Sequence, residues 1–495
     1  MKLTIVLILI INKVKSNDES DFTMTNSQLK VPLERMSFNG PKVLPDEKFL
    51  EKLGHFVRER TLLRTGFSHG TGAFGHFKCG PNSLTKYTKA NLFNQVGKQT
   101  RVIVRFGFSL LAPGASETSK ANIGYAMTIR FYTDDGNFDI FGVTNPAIIR
   151  DSLRIVSALR SQAANVNSFA DLNSKWEMIS LVPEILTTAI DSKESRSFPH
   201  SLTMLKTTTS QTLKLVNDRG EHTFVRFLLE PVIKFRYLED KTILDLASRM
   251  PDYYSRELFT AIKRGRYPEW ELRAQIISPK IVKKLKFNPF DPTKVWDESI
   301  IPSMLVGKLI LNENPSNFFS QIEQLAFNPL NLVTGIEINY NDQVLQSRSR
   351  AYLDAQLHRL GSNFAELPMN KPISPNTPQI RDGNCANRKN GGIDQSYFPN
   401  SFGLTGDSPR DYSSSGNILG PIKIKRYNTV NEDNYSQLNE SWNSWSQSER
   451  NLIVKRLWAE FSRLERFIQN DALKQIKLIN IEFYEKFLPL LENAQ

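Results

Sequence analysis

The stretch "VLQSRSRAYLDAQLHRLG", Val344 to Gly361, decides the reading of the chain. On a helix, Arg348 and Tyr352 share a face at i, i+4. A buried guanidinium beside a phenol favours the phenolate, and a phenolate is a hard anionic ligand suited to ferric haem iron. From the pair alone, an ordinary tyrosine capped by an arginine is the commoner reading. The rest of the chain has to decide between the two.

The 495 residues, 40% hydrophobic and 23% charged, are ordinary globular material, long enough for a large core and more than one domain. Residues 1–16, MKLTIVLILIINKVKS, carry an apolar run from Leu3 to Ile11 that is too short to span a bilayer. Val14 and Ser16 follow in small-residue cleavage spacing, so a cleaved signal peptide and a secreted chain with no membrane span are expected. The formal charge of +12 falls to +9 when Lys2, Lys13 and Lys15 leave with that peptide. Over so long a chain this is a weak nucleic-acid signal, no RRM-like or zinc-finger spacing accompanies it, and no nucleic-acid partner is expected. The clusters Lys263-Arg264-Gly265-Arg266 and Lys283-Lys284-Leu285-Lys286 read as solvated faces, with binding to anionic surfaces left open. Cys79 and Cys385 are the two cysteines, so at most one bridge forms and stability rests on the core. Two N-x-S acceptors, at Asn434 and Asn439, are compatible with secretion.

Between about 100 and 280 the pattern is mostly strand. Ala126 to Tyr132 turns at Asp134-Asp135-Gly136-Asn137 into Phe138 to Phe141, and Thr212 to Val216 returns through Asn217-Asp218-Arg219-Gly220 into Thr223 to Phe227. Consecutive hairpins favour an antiparallel barrel or sandwich. From about 365 to 425 the chain is rich in Pro, Asn, Gly and Ser, a stretch that is either disordered or laid across another surface. Ser446-Gln447-Ser448-Glu449 is a capping box ahead of Leu452, Ile453, Leu457, Phe461, Leu464 and Phe467 at helical spacing, which predicts a small C-terminal helical domain.

Arg348 to Gln356 resembles the proximal signature of the catalase family, Arg-x-Phe-small-Tyr-x-Asp-small-Gln/His, with Arg350 in place of the phenylalanine. Further similar stretches are Arg58-Glu-Arg60, "KYTKANLFNQVGKQT", "RFYTDDGNFD", "PDYYSRELFTAIKRGRYPEW", "FNPFDPTKVW", "VGKLILNENPSNFFSQIEQLAF" and "YFPNSFG", covering about 45 to 490. The resemblance implies an α+β fold with an antiparallel β-barrel core. The expected divisions are a signal peptide (1–16), an N-terminal arm (17–67), the barrel with the distal haem side (68–311), a wrapping segment with the proximal haem helix (312–430) and a C-terminal helical domain (431–495). It also implies a homotetramer, haem b with Tyr352 as axial iron ligand beside Arg348, and haem carboxylates met by Arg64, Arg105 and Arg359. The linker that often helps bind NADPH in animal catalases is poorly matched between Ser192 and Ser210, so NADPH is not expected.

The same resemblance shows where the chain departs from its family. Catalases carry an essential distal histidine five residues before Gly-Ala-Phe-Gly, and here that position is Phe67 in "LLRTGFSHGTGAFGHF". The peroxide-orienting asparagine falls on Val143, and a serine that supports the histidine falls on Gly107. Splitting peroxide needs a base to take a proton and return it to the leaving oxygen, worth about 10²–10⁴-fold. Phe67 and Val143 supply neither base nor amide. His69 and Asn145 are the candidate substitutes, His69 because i and i+2 point to one side of an extended chain. It would stand roughly 6–7 Å from the lost base. Gln356 replaces a histidine of the family's propionate cluster, and aromatics that line the pocket are missing near Ile148 and Ile155.

Three functions are therefore carried forward. The first is a secreted, catalase-like haem-binding protein in which dismutation of hydrogen peroxide to water and oxygen is strongly impaired. The second is an extracellular catalase or peroxidase that uses His69 or Asn145. The third is a haem-free oligomeric scaffold.

Overall fold

The computed structural model describes residues 21–23, 30–32, 47–59, 62–81, 84–108, 116–119, 124–163, 171–209, 211–373, 382–383, 397, 401 and 432–492. The expected signal peptide, Cys385 and most of the stretch from 374 to 431 lie outside them. The chain divides into two compact units, residues 1–63 and 64–495. The first holds an antiparallel pair, β1 (Asp21–Thr23) with β2 (Lys30–Pro32), and the helix α1 (Glu47–Val57).

The second unit is built on β3 (His69–Cys79), β4 (Gln99–Phe108), β5 (Tyr125–Thr133), β6 (Gly136–Val143), β7 (Thr207–Thr209), β8 (Leu213–Val216), β9 (His222–Pro231), β10 (Glu269–Ile277), β11 (Ser303–Glu313) and β12 (Ile336–Glu337). All pairings are antiparallel, and β9 pairs with both β7 and β10. This closes β3–β7 and β9–β11 into an eight-stranded barrel; β8 follows β7 along the same edge of β9, with Leu213 and Leu215 in the interior core, and β12 pairs with β8. Both hairpins read from sequence are present, β5 turning into β6 and β8 into β9.

The two-residue period of a strand sorts side chains between the barrel interior and its outside. On β4, Val102, Val104, Phe106 and Phe108 join an interior core with Phe77, Phe131 and Phe138, as expected for a barrel of this size. Ile103 points outward and joins a second cluster with Phe74, Tyr132, Phe141, Ile322, Leu325 and Phe327. The outer face is covered too, and all nine residues of β5 are buried.

The stretch from 100 to 280 is less strand-rich than its pattern suggested. It contains α2 (Ile155–Gln162), α3 (Leu172–Leu181), α4 (Leu186–Asp191), α5 (Asp240–Arg249) and α6 (Tyr253–Lys263). Asp171 caps α3 by accepting from Asn173 N, and Trp176, Ile179, Leu186, Ala189 and Ile190 are buried along these turns. A short α7 (Pro279–Val282) follows, and α8 (Gln343–Leu360) carries the Arg348/Tyr352 pair. The C-terminal helices are α9 (Ser436–Ser444), α10 (Gln447–Phe461), α11 (Arg466–Ile479), α12 (Ile481–Glu485) and α13 (Leu488–Glu492). They share one core with α2–α4. Trp176 meets Phe461 edge-on at 4.5 Å, and Trp442 stacks on Phe483 at 4.1 Å. The helical layer is therefore assembled from two distant parts of the chain.

The capping box forms in half. Ser446 Oγ accepts from Glu449 N at 3.2 Å, but the Glu449 carboxylate accepts instead from Ser195 N (2.7 Å) and Oγ (2.8 Å). Beside this contact Glu460 pairs with Lys175 at 2.9 Å and with Lys193. Burial and neighbouring Lys175 lower Lys193 to about 8, against the pull of Glu460. Cys79 is buried, and the Asn439 amide oxygen accepts from Asn480 at 2.8 Å.

Burial and the adjacent Asp191 push Glu194 from 4.5 up to about 8, with Arg196 opposing. A carboxyl whose folded value is raised loses relative stability as pH climbs from 4.5 to about 8, because the unfolded chain ionises first. Glu194→Gln is expected to resemble the wild type near pH 5 and to gain in thermal midpoint progressively towards pH 8. A difference that does not change with pH would contradict the buried, protonated carboxyl.

Candidate functional site

Outward-facing residues of β3–β6 form the floor of the site. Gly70, Gly72 and Phe74 lie on one face of β3, Ile103, Arg105 and Gly107 on β4, and Phe141 and Val143 on β6, where β3, β4, β5 and β6 run side by side. Helix α8 covers this floor. Asp342 caps it by accepting from Leu345 N at 2.9 Å, and the same carboxylate accepts from Thr212 N at 3.4 Å. This ties the helix start to the residue next to β8. The chain after α8 is held by Arg130, which pairs with Asp139 at 2.7 and 2.8 Å and donates to Ala326 O, Met369 O and Asn370 Oδ1. Burial opposes the Arg130 charge, and Asp139 more than reverses that effect, so its pKa is raised.

Within this frame Arg348 Nη2 donates to the Tyr352 hydroxyl at 3.0 Å. Phe141, from β6, stands perpendicular to the Tyr352 ring at 5.2 Å. The Arg348 guanidinium lies 5.3 Å from the centres of both rings, within cation–π range. The phenol is thus fixed by an arginine on its own helix and an aromatic ring on the barrel. Phe141 was not singled out in the sequence, although its place two residues before Val143 on the same strand was a signal.

Arg64, Arg105 and Arg359 come together. Arg64 pairs with Glu323 Oε1 at 2.6 Å and donates to the carbonyls of Glu323 and Leu325 at 2.6 and 3.1 Å. Arg359 donates to the same two carbonyls at 2.7 and 2.9 Å and to Gln356 Oε1 at 3.0 Å. Both lean on a π turn, Phe319–Glu323. Arg105 is buried, donates to Ser68 O at 3.1 Å, and leaves its Nε without a partner. Burial and the Arg64 charge bring Arg359 down to about 10. The same two causes hold Arg105 well below the usual arginine value.

Among these residues three guanidinium charges face the single carboxylate of Glu323, a surplus of two positive charges. Such a cluster suits a ligand with two carboxylates, which would form charge-assisted hydrogen bonds. Glu323 escaped sequence reasoning because a lone glutamate in "FSQIEQLAF" carries no spacing signal.

Phe67 has φ of 51°, the one non-glycine residue with positive φ among the described residues. Such a conformation costs on the order of 1–3 kcal/mol and persists where the surroundings hold it. Gly107 makes room for it, because a Cβ there would stand 2.8 Å from Phe67 Cβ. At Gly70 an added Cβ would stand 2.2 Å from the Phe106 carbonyl oxygen and 2.8 Å from the Arg105 guanidinium, so this glycine admits both the neighbouring strand and Arg105.

The left-handed turn at Phe67 also removes the argument for His69, since the chain between them is not extended. His69 pairs with Phe108 as the first residue of β3 and alternates with Gly70, Gly72 and Phe74. It therefore belongs to the opposite face of the strand, that of the interior residues Ala73 and Phe77. Asn145 is buried in the turn after β6, with its amide nitrogen 3.4 Å from where a Gly124 side chain would begin. Ile148 and Ile155 pack against the helical core.

A catalase family model matches residues 23–404. The catalases of Ascaris suum and Mus musculus are each 34% identical over 459 residues, covering 92% of this chain and 84% and 86% of theirs. The chain belongs to the catalase family. A solved bacterial catalase superposes with a TM-score of 0.88 at 27% identity, covering 98% of this chain and 99% of that one. The α+β fold on an eight-stranded antiparallel barrel is that of the catalases.

The Phe67/Gly107 contact makes a stability prediction for this member of the family. Gly107→Ala is expected to cost about 1–3 kcal/mol through overpacking. The cost should shrink when Phe67→Gly removes the opposing Cβ and relieves the positive φ. Thermal or denaturant unfolding of the four proteins in the cycle reads the coupling, and additive effects would show that the two residues do not constrain each other.

Proposed function

We propose that this catalase-family protein is a secreted, haem b-binding protein whose dismutation of hydrogen peroxide is strongly impaired. The observation that carries the reading is the 3.0 Å hydrogen bond from Arg348 to the Tyr352 hydroxyl, which fixes the oxygen that would bind the haem iron. Haem would supply the redox-active ferric iron. Arg64, Arg105 and Arg359 would hold its two propionates, whose charge matches the surplus of two and whose oxygens would serve the unpartnered Arg105 Nε.

The impairment follows from the side chains opposite. Phe67 and Val143, at the expected distal positions, can neither accept a proton nor orient a peroxide. A hydroperoxidase that relies on His69 is disfavoured, because that residue shares the strand face of Ala73 and Phe77. No nucleotide is included, since Lys193 and Ser195 in the linker are engaged by Glu460 and Glu449. Catalases are typically oligomeric, and a homotetramer is the assembly proposed. Among the described residues no helix is long and apolar enough to cross a membrane.

Haemin reconstitution of the purified protein is expected to give a Soret band that shifts or disappears in Tyr352→Phe. A colourless protein after reconstitution would overturn the reading and favour a haem-free scaffold. Phe67→His combined with Val143→Asn is expected to raise peroxide turnover of the loaded protein by about 10²–10⁴-fold.

A further inference from the structure

Helix α6 and the chain just before the π turn flank a cavity of about 820 Å³, open to solvent on one side, against Thr71 and Gly72 of β3. This lies within the range of roughly 300–1,000 Å³ typical of small-molecule sites. Two rings line it, Phe259 and Phe318, which are 46% and 45% exposed. The one carboxylate in the lining, Asp252, is already paired with Arg256 at 2.9 Å. Lys263 and Arg264, at the end of α6, also line the cavity, and neither forms an ion pair with a described residue. The helix C-terminus offsets only about half an elementary charge. The cavity therefore keeps most of two positive charges next to two aromatic rings.

We propose that this cavity binds an anionic amphiphile, a molecule with one carboxylate or sulfonate headgroup on an aryl or alkyl body. The headgroup meets Lys263 and Arg264, and the body lies between Phe259 and Phe318. The basic cluster from 263 to 266 is then part of a binding site as well as a solvated face. The cavity is separate from the arginine cluster but borders it. Phe318 leads into the π turn whose Ile322 and Glu323 carbonyls accept from Arg64.

Calorimetric titration of the full chain with dodecanoate, and separately with dodecyltrimethylammonium, tests the proposal. Dodecanoate is expected to bind saturably at one site and the cation not to bind. The double variant Lys263→Glu/Arg264→Glu and the single variant Phe259→Ser should each weaken dodecanoate binding by at least about tenfold, with an unchanged thermal midpoint. Equal binding by all three proteins would place the probe elsewhere, for example at Arg64 and Arg105, and overturn the proposal. Equal binding of the cation, or no saturable binding, would overturn it too. So would sedimentation showing an oligomer that excludes the probe, since a second copy would then cover the cavity.

Discussion

Strands β3 to β6 bury both faces, and side chains that point away from the barrel interior must be covered by chain that arrives much later. The π turn, α8 and the residues up to Asn370 supply that cover. Arg130 fastens them to the floor through Asp139, Ala326 O, Met369 O and Asn370. A guanidinium with a single buried carboxylate and three further acceptors is costly to disturb, because any lost partner leaves a charge unsatisfied in low dielectric. This fastening determines where Tyr352 stands relative to Phe141, and where Arg359 stands relative to Arg64.

The site is asymmetric in its chemistry. On the Tyr352 side the polar groups are paired and oriented, and the arginine cluster holds more positive charge than Glu323 can balance. On the Phe67 side the wall is a ring in a left-handed conformation resting on a glycine. The fit of Phe67 to Gly107 shows that the phenylalanine is built into the packing. In the proposed reading this explains how haem can be retained while proton transfer is lost, since binding and acid/base catalysis depend on different walls.

Much of this was legible in the sequence. The hairpins at Asp134-Asp135 and Asn217 to Gly220 announced themselves through turn residues between alternating runs, and the Arg348/Tyr352 pair through helical spacing. Ser446 showed as a helix cap, but the destination of Glu449 did not, because its partner Ser195 is remote in sequence. The helices from 155 to 191 were missed because their apolar faces close only against α9–α13. The positive φ of Phe67 has no single-sequence signal, and it breaks the extended run that would have set His69 on the same side, while the alternation of β3 puts His69 on the other face. Glu323 and Phe141 acquire their roles only from what folds against them.

The central claim is that a site in which Arg348 and Tyr352 could hold haem faces a wall unable to move protons. Oxygen evolution from hydrogen peroxide by the haemin-loaded wild-type protein, compared at equal haem with free haemin, tests it most directly. The account predicts a protein that keeps its haemin through gel filtration and evolves oxygen no faster than free haemin. Turnover far above free haemin would contradict it, because it would require a proton-transferring group at the site that Phe67 and Val143 do not provide.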